Sequence, residues 1–232
     1  MAYQAKDGRR SQGKAELRAP RPRRIDKEQR QSEILDAAFK LFAKKGFGAT
    51  RIDEIAKQAG VAKGLVLFHF KSKEDVFQAV VRRAIPPLLD TLAMDSFESG
   101  TDAVELLRET LHRVYQHLVA NPHAKVILQL LVAEGHRFPK LKAFYHSEVV
   151  ARGNAAITQI VSLGVKQGEF SVRIDANLPR VLLGPLVSAL FWQILFVEFE
   201  KIYIEQLFKS HFDLMLHGLI GPRASSRREK NG

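Results

Sequence analysis

The stretch from Thr50 to Phe77, TRIDEIAKQAGVAKGLVLFHFKSKEDVF, constrains the fold of this chain more than any other feature. After Thr50, a residue type common at helix N-caps, apolar residues recur at the i, i+3, i+4 spacing of one helix face: Ile52, Ile55, Ala56 and Ala59. Gly60 lies where a helix ends in a left-handed residue, and Ala62 to Phe68 starts a second short helix. The stretch therefore predicts a helix-turn-helix, whose second helix enters the major groove of DNA.

These residues resemble the N-terminal domain of the TetR family of bacterial transcriptional regulators. The shared residues are Thr50, Ile55-Ala56, Ala59-Gly60-Val61, Gly64, His69-Phe70 and Ser72-Lys73-Glu74. With the preceding helix and Gly46, the resemblance covers roughly residues 28 to 84. Two positions depart from the family pattern. Leu65 stands where Ser or Thr is usual, and Leu67 stands where a tyrosine usually bonds a phosphate, so these contacts are absent or come from other residues.

The charge balance of the 232-residue chain favours a polyanionic partner. Its net charge is +11 and its pI is near 9.9, which indicates nucleic acid first and a membrane surface second. Cysteine is absent, which fits a reducing cytoplasm. Residues 1–24 are polar and basic and do not form a secretory signal. The most apolar run, 178–199, is interrupted by prolines and charged residues, so we expect a cytoplasmic protein without a membrane partner.

The N-terminal half is predicted to consist of a basic arm and a three-helix domain followed by a linking helix. Residues 1–24 are expected to be disordered, either reaching a flanking minor groove or remaining a solvated tail. The first helix starts at about Asp26 or Lys27 and runs to Lys45, where Gly46 ends it. Ser72 caps the fourth helix, which continues to the break at Pro86-Pro87. The predicted helix-turn-helix domain spans residues 25–84.

The remaining pattern is also helical, so the predicted fold is all-α, with a larger C-terminal domain at 85–220 and a loose tail at 221–232. After a loop at 95–101, one helix runs to Ala120 and another from Asn121-Pro122 to near Gly135. A long helix follows from Phe138-Pro139 to Gln167. The last two helices cover about residues 178–200 and 202–219.

The last two helices carry more apolar surface than one amphipathic face requires. In a domain of this size the extra side is expected to face a second copy of the chain, with a central core helix in a monomer as the alternative. The family resemblance implies the same homodimer. Two recognition helices related by a two-fold axis would read a near-palindromic operator in double-stranded DNA. Its half-sites would lie one or more helical turns apart, each turn being about 34 Å long.

Two groups of residues are the DNA-binding candidates. Candidates for contact with base edges or the groove are Lys63, Gly64, Leu65 and Phe68. Candidates for contact with phosphates are Thr50, Arg51, His69 and Lys73, with a solvated or packing role as the alternative. An exposed apolar side chain on the recognition helix would favour contact with a thymine methyl group.

The family resemblance implies a C-terminal cavity whose small-molecule ligand changes the separation of the recognition helices. Its lining is predicted from semi-polar residues on otherwise apolar helices: His112, Tyr115, Gln116, Gln129, Glu134, Tyr145, His146, Trp192 and Gln193. Few polar anchors among many apolar residues favour a lipophilic effector such as an acyl chain, an aromatic compound or a drug. The expected protein is a repressor that this ligand releases from DNA.

Two other classes of function remain as alternatives. An enzyme is disfavoured because the histidines lack a convincing ligand spacing and no phosphate loop or nucleophile motif appears, so we expect no metal and no cofactor. A non-specific DNA-binding protein without ligand control would use total charge alone. It would show steep salt dependence and no preference between sequences.

Overall fold

The computed structural model describes residues 23–85 and 102–221, and the regular structure within these ranges is all helical, as predicted. Four features predicted from the sequence lie wholly or largely outside the described residues. They are the basic arm, the Pro86-Pro87 hinge, the loop at 95–101 and the tail at 221–232.

The N-terminal half contains α1 (Arg23–Ala49), α2 (Ile52–Ala59), α3 (Lys63–His69) and α4 (Lys73–Ala84). The C-terminal half contains α5 (Ala103–Val114), α6 (Pro122–Glu134), α7 (Pro139–Tyr145), α8 (Arg152–Gln167), α9 (Leu178–Leu195) and α10 (Ile204–Ile220). The predicted helices are present, but α9 ends at Leu195, before the expected position near 200, and α10 begins at Ile204, after the expected position at 202.

The helix-turn-helix forms because glycine breaks the chain at two places. Gly46 interrupts α1 with a φ of 85°, and Gly60 ends α2 with a φ of 66°, a backbone conformation that other residues adopt only at a cost. The apolar faces of α1 to α4 meet in one core that includes Ile34, Phe42 and Phe77. Ser72 caps α4 as predicted, with its hydroxyl accepting a hydrogen bond from the Asp75 N–H at 3.1 Å.

Two π-helical turns interrupt the C-terminal helices, and the sequence pattern did not reveal them. Helix α5 continues through the π-helical residues Tyr115–Val119, and α7 joins α8 through His146–Ala151. Such turns shift the side chains that follow them around the helix axis, and they are frequent at functional sites. Both turns contribute residues to the cavity described below.

The two halves share a hydrophobic core. Ile127, Leu130 and Leu131 of α6 and Leu141 of α7 belong to the same buried cluster as the helix-turn-helix residues. A second cluster joins α5, α8, α9 and α10. Helix α6 therefore lies between the predicted DNA-binding domain and the rest of the molecule, while the domain boundary at residue 85 stays a prediction.

Helix α9 carries apolar side chains on more sides than the rest of the same chain buries. Leu182, Leu186 and Leu190 are buried, whereas Val181 is 69% exposed and Leu195 is 58% exposed. The prolines expected to interrupt this run lie within the helix, so Leu178–Leu195 is long and apolar enough to cross a membrane by length and composition alone. The neighbouring α10 adds Leu214, which is 77% exposed.

Candidate DNA-binding surface and effector cavity

Helix α3 presents an apolar and aromatic face to solvent. Val66 anchors it in the core, while Leu67 is 42% exposed and Phe68 is 74% exposed. Lys63 and Gly64 are also exposed, and Leu65 is half-buried. A Cβ atom added at Gly64 would meet nothing within 4 Å, so the front of this helix is open. An exposed aromatic ring on so short a helix is a surface that a partner can cover.

Lys63 is paired but remains accessible. Its ammonium lies 2.7 Å from the Asp53 carboxylate on α2, and both side chains are about half exposed. The hydrogen bond from Lys63 lowers the pKa of Asp53. Exposed pairs of this kind contribute little to stability, so Lys63 can exchange this partner for a phosphate or a base.

Arg51, and not Thr50, is the N-cap of α2. Its backbone N–H donates to the Glu54 carboxylate at 2.8 Å, and its side chain is exposed. The pKa of Glu54 is lowered mainly by a hydrogen bond from Lys45 and to a smaller extent by this backbone hydrogen bond. Thr50 is buried and donates its hydroxyl to the Gly46 carbonyl at 2.7 Å. This placement does not support the predicted phosphate contact of its side chain.

Lys73 also points inward. Its ammonium donates to the carbonyl oxygens of Phe47 at 2.7 Å, Gly48 at 3.2 Å and Thr50 at 2.8 Å. It lies 4.4 Å from the centre of the Phe47 ring. An ammonium has three protons, and these bonds use all of them. Burial lowers the pKa of Lys73. Lys73 therefore holds the turn between α1 and α2, a placement that does not support its predicted phosphate contact.

The turn between α3 and α4 offers a different cation. Lys71 is exposed and directly follows the buried Phe70. Lys71 was not among the predicted phosphate contacts, which included Lys73 of the family resemblance. His69 is half-buried, with its ring 5.5 Å from the ring of Phe68, and its phosphate role stays a prediction.

Glu134 connects the two halves of the molecule instead of lining a cavity. From the end of α6, its carboxylate accepts hydrogen bonds from the backbone N–H groups of Phe47 and Gly48, both at 2.7 Å. A Cβ atom at Gly48 would lie 2.8 Å from this carboxylate, and one at Gly46 would also clash with it, so both positions need glycine for this approach. This placement does not support the predicted pocket role of Glu134.

The C-terminal helices enclose a cavity of about 580 Å³ between α5, the two π-helical turns, α8 and α9. Most of its described lining is apolar, including Leu111, Val114, Leu118, Leu128, Leu183 and Leu186. This size and lining are typical of a small-molecule site. Ile85, which follows the last residue of α4, also lines the cavity.

Only two of the nine predicted pocket residues, Tyr145 and His146, line this cavity. The other seven residues lie elsewhere. His112 and Gln116 form hydrogen bonds with Glu205 at the surface, and Tyr115 is buried in the core. Gln129 is exposed, and Trp192 packs on Phe196 with Gln193 beside it. The Tyr115 hydroxyl is hydrogen-bonded to His211 Nδ1 at 2.9 Å, and burial lowers the pKa of His211.

The polar groups that do line the cavity are Thr110, His117, Asn154 and Arg180, together with the two predicted residues. Burial raises the pKa of Tyr145 to about 12, so its phenol stays neutral. The Thr110 hydroxyl is buried and has no hydrogen-bond partner, which costs about 1–3 kcal/mol. This group was missed because a threonine in a helix ordinarily bonds a carbonyl of the preceding turn.

The cavity adjoins the helix that leads out of the helix-turn-helix domain. The Asn121 side chain donates to the Ala84 carbonyl at 2.9 Å, which holds the end of α4 against the start of α6. Arg82 of α4 lies 4.8 Å from the Phe144 ring and 3.6 Å from the Glu148 carboxylate. Both ends of α6 therefore contact the N-terminal half, and Leu128 between them lines the cavity.

Metal binding has no support in the part of the chain that the structure describes. Within residues 23–85 and 102–221, no three His, Asp or Glu side chains are grouped closely enough to hold an ion.

Comparison with known proteins places these features in a family. The sequence model of bacterial regulatory proteins of the tetR family matches residues 34–80. The uncharacterized HTH-type transcriptional regulator TtgW of Pseudomonas putida is 33% identical over 111 residues, covering 47% of this chain and 76% of that protein. The HTH-type transcriptional repressor KstR2 of Rhodococcus jostii is 28% identical over 197 residues, covering 84% of this chain and 94% of that protein.

The fold is also shared with solved structures. The transcriptional regulator FadR from Bacillus subtilis, solved in complex with stearoyl-CoA, superposes with a TM-score of 0.63 at 21% identity. The match covers 81% of this chain and 98% of that one. At this identity the likeness shows the fold, with the helix-turn-helix followed by a larger helical domain.

Proposed function

The chain belongs to the TetR family of bacterial transcriptional regulators, and we propose that it is a homodimeric repressor that a small lipophilic ligand releases from its operator. As a DNA-binding regulator it would act in the cytoplasm and not as an enzyme. The observation that carries the DNA-binding part of the proposal is the exposed face of α3, where Phe68 projects beside Lys63 and Gly64.

In the proposed complex, α3 lies in the major groove. Phe68 and Leu65 would meet apolar base edges such as the thymine methyl group, and the open space at Gly64 would let the backbone approach the DNA. The proposed phosphate contacts are made by Arg51, Lys63 and Lys71, with Thr50 and Lys73 removed from the predicted set because they are bonded inside the domain.

The homodimer is proposed from the surface of the last two helices. An apolar helix that leaves Val181, Leu195 and the neighbouring Leu214 exposed is unfavourable in water. A second copy can cover this surface by packing α9 and α10 against the same helices of its partner, in an interface related by a two-fold axis. This arrangement fixes the distance between the two copies of α3 and hence the half-site spacing.

Release would follow from the position of the cavity. Ligand binding can shift a two-state equilibrium only when the ligand has a higher affinity for one state than for the other. Here Ile85 at the end of α4 and Leu128 on α6 both line the cavity, so a ligand that displaces them would move the helix-turn-helix domain. Among proteins of this fold, the FadR structure from Bacillus subtilis contains stearoyl-CoA, which supports a lipophilic ligand without identifying it.

The test of DNA binding is footprinting of the purified protein on DNA that flanks its own gene, at two salt concentrations. A protected near-palindrome that survives moderate salt is expected. Replacement Phe68→Ala should weaken operator binding by about tenfold or more, because it removes an apolar contact, and leave binding to random DNA within about twofold. The matched control is Val132→Ala, which truncates an exposed apolar residue on α6.

Diffuse protection that disappears with salt, equal for wild-type protein and Phe68→Ala, would contradict the proposal. It would indicate a non-specific DNA-binding protein whose affinity comes from its net charge of +11.

A further inference from the structure

One buried polar atom of the cavity lacks a partner. Within the described residues, Thr110 Oγ1 is the single buried side-chain oxygen or nitrogen without a hydrogen bond. Thr110 lies on α5, is 1% exposed and lines the cavity. A hydroxyl can both donate and accept, so an oxygen of a ligand in the cavity can satisfy it.

The described lining of the cavity includes a cationic side chain and no acidic one. Its described lining includes the guanidinium of Arg180 and the imidazoles of His117 and His146, and it includes no Asp or Glu. Arg180 donates to the Ala176 carbonyl and the Asn177 side-chain oxygen, both of which are uncharged. A cationic ligand would therefore find no counter-charge among these residues, whereas a neutral or anionic one would meet no repulsion.

Apart from the Asn154 amide and the Tyr145 phenol, the rest of the described lining is apolar, contributed by side chains such as Leu111, Leu118 and Leu186. Burial of an apolar body against these side chains supplies the affinity, and one well-placed polar group supplies the orientation. We propose that the effector is an apolar molecule with one uncharged or anionic oxygen-bearing group, and that the Thr110 hydroxyl bonds this oxygen. This inference rests on the ligand control proposed above.

The test uses three probes with the same alkyl chain: decan-1-ol, decanoate and decylamine. Each is titrated by calorimetry into the full-length wild-type protein and into Thr110→Val, Thr110→Ala and Thr110→Ser. Valine keeps the shape of threonine without the hydroxyl, alanine removes the hydroxyl in a second way, and serine retains it. Thermal unfolding confirms that each variant is folded.

Decan-1-ol and decanoate are expected to bind the wild-type protein, and decylamine to bind at least about tenfold more weakly than decan-1-ol. Thr110→Val and Thr110→Ala should weaken decan-1-ol and decanoate by about fivefold, the value of one net hydrogen bond. Thr110→Ser should stay within about twofold of the wild type. Equal affinities for wild type and the two variants without a hydroxyl would overturn the inference, as would decylamine binding as tightly as decan-1-ol.

The outcome is separable from that of the footprinting experiment. If none of the probes binds a wild-type protein that protects a near-palindrome, the ligand inference fails and the DNA-binding proposal stands. If the probes bind as expected but protection is diffuse, the regulator proposal fails and the cavity chemistry stands.

Discussion

The hydrogen bonds of Glu134 lead to a prediction of how strongly the two halves of the molecule depend on each other. Its carboxylate holds the Phe47 and Gly48 amides at 2.7 Å, a length typical of charge-assisted bonds. Such bonds contribute about 1.5–3 kcal/mol each, and the lower value applies because Glu134 is only half-buried. Replacement Glu134→Ala should therefore lower the free energy of unfolding by about 3 kcal/mol.

For a chain of this size, that loss corresponds to a Tm lower by about 6–12 °C. Glu134→Gln should lower Tm by roughly half as much, because glutamine keeps one acceptor oxygen but places an amide N–H₂ against the second backbone N–H. The assay is thermal unfolding followed by circular dichroism. The matched control is Glu109→Ala on α5, whose side chain is 60% exposed and pairs with Arg113 at 3.7 Å; its effect should stay within about 0.5 kcal/mol.

A double-mutant cycle provides a second check. Gly48→Ala places a Cβ atom 2.8 Å from Glu134 Oε2 and 3.2 Å from the Phe138 ring, so it should destabilise the wild-type protein. In the Glu134→Ala background the first of these clashes is gone, and the cost of Gly48→Ala should be smaller by at least about 0.5 kcal/mol. A Glu134→Ala effect no larger than that of Glu109→Ala, or a cycle without coupling, would refute the role given to the Glu134 hydrogen bonds.

Three other predictions follow from contacts described above. Lys71→Ala should weaken binding to all DNA sequences and reduce the salt dependence of the binding constant by about one phosphate contact. Lys73→Ala should instead lower the free energy of unfolding by about 2 kcal/mol. A salt dependence that is reduced only by Lys73→Ala would contradict these two roles. Because the folded-state pKa of His211 is lowered, its stabilising contribution is complete above about pH 6.5 and is lost as pH falls toward the folded-state value. The Tm of the wild type should thus fall more steeply on acidification than that of His211→Gln. Parallel curves of Tm against pH for the two proteins would contradict this prediction. Leu214→Glu should convert the proposed dimer to single chains in sedimentation and weaken operator binding. Val132→Glu, at another exposed apolar position on α6, should do neither.

The helix-turn-helix could be predicted from the sequence because its signals are local. The glycines at 46 and 60 and the cap at Ser72 act within a few residues of their own position, and the structure confirms all three. The apolar spacing of Ile52, Ile55, Ala56 and Ala59 likewise depends on neighbouring turns of one helix, and this face of α2 packs in the core as predicted.

The candidate cavity could not be predicted in the same way, because a residue type does not determine whether a side chain faces a cavity, a neighbour or solvent. Glu134 looked like a polar anchor on an apolar helix, yet its partners are amides 86 and 87 residues away. The π-helical turns also shift the side chains that follow them around the helix axis, which a regular helical spacing does not anticipate. The inward placement of Lys73 could not be predicted for a related reason, since its three carbonyl partners lie 23 to 26 residues away in the sequence.

The exposed apolar surface of α9 and α10 has a consequence for how gene expression would depend on the amount of this protein. With a second copy covering that surface, the form that reads DNA contains two chains. Where dimers are scarce, their concentration rises with the square of the total chain concentration, so operator occupancy would respond to a threshold in protein level and not in proportion to it. A substitution that weakens this surface would therefore raise the threshold without altering any residue that contacts DNA or ligand.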